Sequence, residues 1–153
     1  MKTLVKDLNP EILDAFYSQL RGKLIRPSDP NYHDTRKVYN AMINKHPGLF
    51  VMCVDVADVI AAVNFGKEHN LLIAVRGGGH NGGGLGVCDN GLVIDLSGLK
   101  FVRVDTSDNT VRVGGGNLWG EVDHATHPFG LAVPAGIIST TGVGGLTLGG
   151  GVG

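Results

Sequence analysis

The chain reads as one α+β domain built on a mixed sheet, and three observations predict it. Its 153 residues, 42% hydrophobic and only 18% charged, supply a core and are too weakly charged for a disordered chain. Apolar runs of strand length alternate with a helical pattern in the first half, and short strands separated by turn residues follow in the second. Glycine is in excess, 25 of 153, with no collagen period, and the excess is confined to folded-looking surroundings.

Taken in order, Ile12, Leu13, Phe16 and Leu20 fall at helical spacing over Asn9–Leu20, with Asn9 as N-cap, Pro10 in the first turn and Gly22 as a stop. Arg26–Asp34 is an irregular connection, and Thr35–Asn44 a short second helix. Leu49–Val54 is an apolar strand. Asp55 then caps a helix that carries Val56, Val59, Ile60 and Val63 on one face and ends near Asn70. Leu71–Val75 is a short buried strand, so the β-α-β run predicts a parallel pair with a right-handed crossover. Gly91–Ser97, Phe101–Asp105 and Thr110–Gly114 are short strands, the last two divided by Asp108-Asn109. Asn117–Thr126 is a helix with Leu118, Val122 and Ala125 inward. Leu131–Gly136 is extended, and a glycine-rich tail starts at Ile137.

Only Gly22, Gly48 and Gly66 precede residue 76. The remaining glycines gather mainly in Arg76–Gly86, Val113–Gly120 and Thr141–Gly153. They are interleaved with Val, Leu and Ile rather than with the polar residues of a linker, which points to tight backbone geometry. Gly77–Gly82 has the G-x-G-x-x-G spacing after a strand, yet turn and strand formers follow where a Rossmann dinucleotide site needs a helix. No G-x-x-x-x-G-K-[ST] occurs, which excludes a P-loop. The underlying physics persists without a helix: residues lacking a Cβ can turn successive N–H groups into an anion-binding nest. Two such nests suit a long ligand with a charged middle, such as a dinucleotide. Arg76 can balance a pyrophosphate or pair with a carboxylate inside the fold.

Other classes fall away. A net charge of −1 gives no nucleic-acid groove and no affinity for an anionic membrane. Cys53 and Cys88 make neither a disulfide framework nor a zinc site. The first ten residues are not a secretory signal, and no apolar stretch is long enough for a transmembrane helix. The expectation is a soluble, cytoplasmic protein. His33, His46 and His69 sit in polar surroundings as exposed or capping residues. His124 and His127 lack partnering ligands for a metal. Trp119 is a packing residue and Cys53 a core residue.

Four segments in order, VRGGGHNGGGLG, DNGLVIDLSGLKFVRVD, TVRVGGGNLWGEVDHAT and FGLAVPAGIISTTGVGGLTLGGGVG, resemble the FAD-binding (PCMH-type) domain of the vanillyl-alcohol oxidase / p-cresol methylhydroxylase family. The similarity is greatest to bacterial members of its berberine-bridge-enzyme-like branch, and it runs from Thr35 to the last residue. The resemblance implies two α+β subdomains with mixed sheets and FAD between them, in a domain truncated at its C-terminus. Residues 1–34 are then a helical lead-in and residues 35–153 the incomplete domain. Residues that select and deprotonate substrate, and any second flavin link through a cysteine, are expected beyond residue 153; neither Cys53 nor Cys88 matches that cysteine.

The resemblance further implies Arg76, Gly77, Gly78, Gly79, His80 and Asn81 as the first pyrophosphate loop. Pro134, Gly136, Thr140, Thr141, Gly142, Gly145, Gly149, Gly150 and Gly151 become the second wall of the FAD channel. His80 matches the histidine commonly joined to the flavin's benzenoid methyl group. A neutral imidazole is a competent nucleophile, and its reference pKa near 6.5 leaves much of it neutral at pH 7. The residues alone equally allow a turn histidine bonded to its own loop; the family match implies covalent FAD. Asn81 departs from the serine of many relatives but keeps a hydrogen-bonding side chain.

The implied activity is that of an FAD-dependent oxidase, with hydride passing from a small organic substrate to the flavin and O2 as acceptor. Rivals are a non-covalent FAD reductase of the same fold, a non-catalytic flavin-binding module and, last, a Rossmann dehydrogenase.

Overall fold

A computed structural model describes residues 2–152. Its elements are α1 (Pro10–Tyr17), β1 (Lys23–Ile25), α2 (Tyr32–Thr35), β2 (Leu49–Met52), α3 (Val56–Glu68), β3 (Ile73–Arg76), β4 (Leu92–Asp95), β5 (Val102–Asp105), β6 (Thr110–Val113), α4 (Trp119–Thr126) and α5 (Val143–Gly149). Four strands form a mixed sheet in the order β1-β2-β4-β3, with β1 antiparallel to β2 and the others parallel; β5 and β6 form a separate antiparallel hairpin. The α+β class with a mixed sheet is as the sequence predicts. No helix among the described residues is long and apolar enough to cross a membrane.

The predicted caps are in place. Asn9 accepts a hydrogen bond from Glu11 N (2.9 Å) and Asp55 accepts one from Asp58 N (3.0 Å), each satisfying a first-turn donor that the helix itself leaves free. Asp58, 1% exposed, continues inward. Its carboxylate accepts from Arg21 N, Gly22 N and Val54 N at 2.8–3.0 Å, tying the loops after α1 and β2 to the start of α3.

The structure corrects four element-level expectations. Strands β2 and β3 are not neighbours, because β4 inserts between them and pairs in parallel with both. Only a fully buried run such as Leu92–Asp95 can occupy that central place, since both its faces are covered. Helix α3 turns Ala62, Phe65 and Gly66 to the sheet, while Val56, Ile60 and Val63 are exposed. The reason is Gly66: a Cβ there would collide with Ile73, so close helix–sheet approach needs the glycine side inward. The second helix is Tyr32–Thr35 only, and residues 36–48 are irregular because their backbone is bonded to other segments instead. The tail, read as structureless, contains α5.

Two clusters pack the two faces of the sheet. One joins Leu49, Val51, Leu92 and Ile94 to Phe16 of α1 and Phe65 of α3, whose rings stack at 3.9 Å. The other joins Phe50, Ala74 and Val93 to Tyr32, Val87 and Cys88. A third, around Trp119, Val122 and Val143, packs α4 and α5 beside the β5–β6 hairpin.

Candidate functional site

Strand β3 ends where the glycines begin, and the chain then turns through residues 77–86 over the carboxyl ends of β3 and β4. Gly79 and Gly84 both take φ of +70°, a left-handed conformation costly for any residue with a Cβ. Asn81 Oδ1 accepts from Leu85 N at 3.0 Å, so the residue that stands in place of serine closes the loop on itself. The N–H groups of Gly78, Gly79 and His80 donate to no acceptor among the described residues, leaving a run of free peptide donors.

The opposite wall is residues 139–150. It is held in register by Trp119 N to Thr141 O (3.0 Å), Gly120 N to Ser139 O (2.9 Å) and Val143 N to Asn117 O (2.9 Å). The central glycine cluster therefore serves as a support: Gly144 lies close to Gly115 O, and Asn117 carries the start of α5. The walls meet glycine on glycine. A Cβ on Gly78 would stand 2.8 Å from Gly142 Cα and overlap its nitrogen, and a Cβ on Gly142 would do the same to Gly78.

Between the walls lies a cleft of about 310 Å³. The structure brings Arg76–Asn81 together there with Thr141, Gly142, Gly145, Gly149 and Gly150. Thr140 joins through His80. Pro134, Gly136 and Gly151 lie outside the lining; Gly136 packs towards Trp119 and Leu146, and Gly151 towards Leu146. Val75, Leu85, Gly86 and Leu146 line the cleft without having been singled out in the sequence.

Arg76 resolves the choice left open for its side chain. Nε donates to Asp95 Oδ2 at 2.5 Å, Nη1 donates to Thr35 O at 2.5 Å, and the guanidinium lies 4.9 Å from the Phe50 ring centroid. With the two side chains 9% and 2% exposed, this is a buried ion pair. Asp95 spends its other oxygen on Ser97 N (2.9 Å) and Ser97 Oγ. The guanidinium is thus committed to the fold, and the loop's peptide donors are what remain for an anion.

His80 is held on three sides. Thr140 Oγ1 lies 3.0 Å from Nε2, Thr141 Oγ1 lies 3.3 Å from Nδ1, and Tyr39 stacks on one face with centroids 4.0 Å apart and 18° between planes. Tyr39 is the site residue that sequence reading missed. It sits in the irregular segment, where neither periodicity nor a motif marks it.

The residues present fit a dinucleotide. No carboxylate lines the cleft, its N–H donors are unspent, and Gly145 and Gly149 keep open space on their Cβ sides. A diphosphate is an acceptor-only anion suited to such donors, and backbone without side chains allows it close contact. FAD would be held by residues 77–81 on one side and by Thr141, Gly142, Gly145 and Gly149 on the other.

Known proteins bear this out at the level of family. The FAD binding domain model matches residues 47–153, which takes in both walls. A FAD-linked oxidoreductase of Dictyostelium discoideum is 39% identical over 144 residues, covering 94% of this chain and 31% of the relative. The crystal structure of 6-hydroxy-D-nicotine oxidase from Arthrobacter nicotinovorans superposes with a TM-score of 0.84 at 33% identity, over 88% of this chain and 30% of that one. Berberine-bridge-enzyme-like protein 1 of Physcomitrella patens gives a TM-score of 0.83 at 32% identity, over 92% and 31%. The chain thus spans about 30% of the length of the relatives it matches. A domain-level match through both glycine walls and a shared backbone have one consequence: the chain belongs to the FAD-binding domain family, in its PCMH-type, berberine-bridge-enzyme-like branch.

Proposed function

We propose that this chain is the cofactor-binding part of an FAD-dependent oxidase. In this reading a small organic substrate gives up a hydride, O2 is the final acceptor, and the cofactor is joined covalently to His80. Bound FAD supplies the two-electron acceptor that side chains lack. The peptide N–H groups of residues 78–80 bind the diphosphate, and the bare glycines opposite admit it. The buried Arg76–Asp95 pair fixes the loop's starting point at the end of the sheet.

The observation that carries the covalent reading is the placement of His80 in the cleft lining with each ring nitrogen on a threonine hydroxyl. A neutral imidazole has one N–H and one lone pair. A hydroxyl can accept from the first or donate to the second, so the Thr140–His80–Thr141 set holds the ring without requiring a charge. The nitrogen bearing hydrogen donates to its threonine, and the other offers the nucleophilic lone pair.

Acid precipitation and washing of the full-length gene product, followed by absorbance and intact mass, tests this. Flavin retained by the wild type and lost from His80→Ala supports the covalent oxidase. Flavin that washes off both points to a non-covalent flavoenzyme such as a reductase, and a folded protein with no flavin at all removes the FAD assignment.

A further inference from the structure

We propose that Tyr39 is a positioning residue for His80, and that Arg76 and Gly79 together hold the segment that carries it. This rests on the reading of His80 as the flavin-linked residue. His80 follows a left-handed glycine and lies in a loop with few neighbouring side chains, so its own chain does little to restrict the two side-chain torsions. The two threonines grip the ring edges. Edge contacts still allow the ring to tilt about the axis that joins the two bonded nitrogens, and a stacked face removes that freedom. Tyr39 supplies the face at 4.0 Å and 18°, leaving the other face of the imidazole to the cleft.

Tyr39 is 66% exposed, so packing in a core does not explain an aromatic residue here. Its position is built from both ends of the RGGGH loop. Arg76 Nη1 bonds the carbonyl of Thr35 at 2.5 Å, with that of Lys37 at 3.5 Å. At the other end Tyr39 N donates to Gly79 O at 3.1 Å, and Asn40 Nδ2 donates to Gly82 O at 2.8 Å. Val38 packs beside Gly79, at the distance where a Cβ on that glycine would just touch it. The loop's arginine and histidine, four residues apart, are thereby connected a second time through residues 35–40. The irregular backbone of that segment follows, because a helix would spend the carbonyls of Thr35 and Lys37 on itself.

The test adds FAD to the FAD-free full-length gene product and follows the growth of acid-stable flavin by intact mass, for wild type, Tyr39→Phe and Tyr39→Leu. In parallel, the imidazole C–H signals of His80 are read by ¹H–¹³C NMR before FAD is added. Tyr39→Leu is expected to slow attachment by roughly two- to tenfold, the range an aromatic pair is worth. It should leave the initial reversible FAD affinity and the unfolding midpoint unchanged and lose the upfield ring-current shift of His80. Tyr39→Phe should keep both the rate and the shift. Attachment by Tyr39→Leu at the wild-type rate overturns the proposal and leaves the covalent reading intact. No acid-stable flavin on the wild type overturns the covalent reading; the NMR then decides alone, and His80 signals identical in all three proteins refute the positioning role.

Discussion

Replacing Gly78 by alanine separates the two walls, whereas replacing Gly145 alters only what lies between them. A Cβ on Gly78 meets backbone, 2.8 Å from Gly142 Cα where ordinary contact starts at 3.4 Å, so no side-chain rotation relieves it. The walls must part by about 0.6 Å, and overpacking of this kind costs roughly 1–3 kcal/mol. Gly145 is inside α5 with nothing within 4 Å of its Cβ direction. Alanine there recovers up to about 1 kcal/mol of helix propensity, while its methyl group projects into the cleft. The expected result is a dissociation of two readouts on the full-length gene product. Gly78→Ala loses stability in urea unfolding and binds FAD at least about tenfold more weakly, since about 1.4 kcal/mol is one decade. Gly145→Ala keeps or gains stability, yet loses FAD affinity by a similar factor in a fluorescence titration. Wild-type FAD affinity in Gly145→Ala would show that the cofactor does not seat in this cleft, and wild-type behaviour of Gly78→Ala would refute the close glycine contact.

Other outcomes follow from the same coordinates. Asp58→Ala strands three backbone donors in and around the buried junction of α1, β2 and α3 and should cost about 3–5 kcal/mol, read from urea midpoints. Asp95→Ala leaves the Arg76 guanidinium buried without its carboxylate, for a loss of about 3–5 kcal/mol in the same assay. Burial pushes the Cys53 thiol up to about 12 and raises Cys88 as well, so neither should react with Ellman's reagent at pH 8 until the protein is unfolded. The Glu121 carboxyl is held below its ordinary value, first by the hydrogen bond from Lys100 and next by that from Leu118 N. A lowered folded value means stability that is present above the ordinary glutamate range and lost as pH falls through the folded value. Glu121→Gln should flatten that acid limb of a stability-versus-pH curve.

The local grammar of the chain is written in short-range signals. Asn9 and Asp55 precede their helices because a side-chain oxygen can satisfy an N–H one turn ahead, and that requires only neighbours. The strand runs and the mixed α+β class follow from periodicity, and the glycine loops from residues that no other side chain can replace. The family was visible for the same reason, since its motifs are contiguous and ordered. His80, the glycines around it and the threonines facing it were accordingly legible before any coordinates.

Tertiary structure decided everything that depends on segments far apart. Which strand lies at the centre of the sheet depends on β4 finding both β2 and β3, and a strand's own sequence states only that it will be buried. Which face of α3 turns inward depends on Gly66 meeting Ile73 rather than on where the valines lie. Arg76 had two chemically sound partners on paper, and the fold supplied Asp95, 19 residues on, before any ligand could compete. Tyr39 reaches His80 only because residues 35–40 give up helix hydrogen bonds to the arginine and glycine of a distant loop. Sequence carries residue types and their local periods; long-range contacts set which polar groups are already spent and which are left for a cofactor.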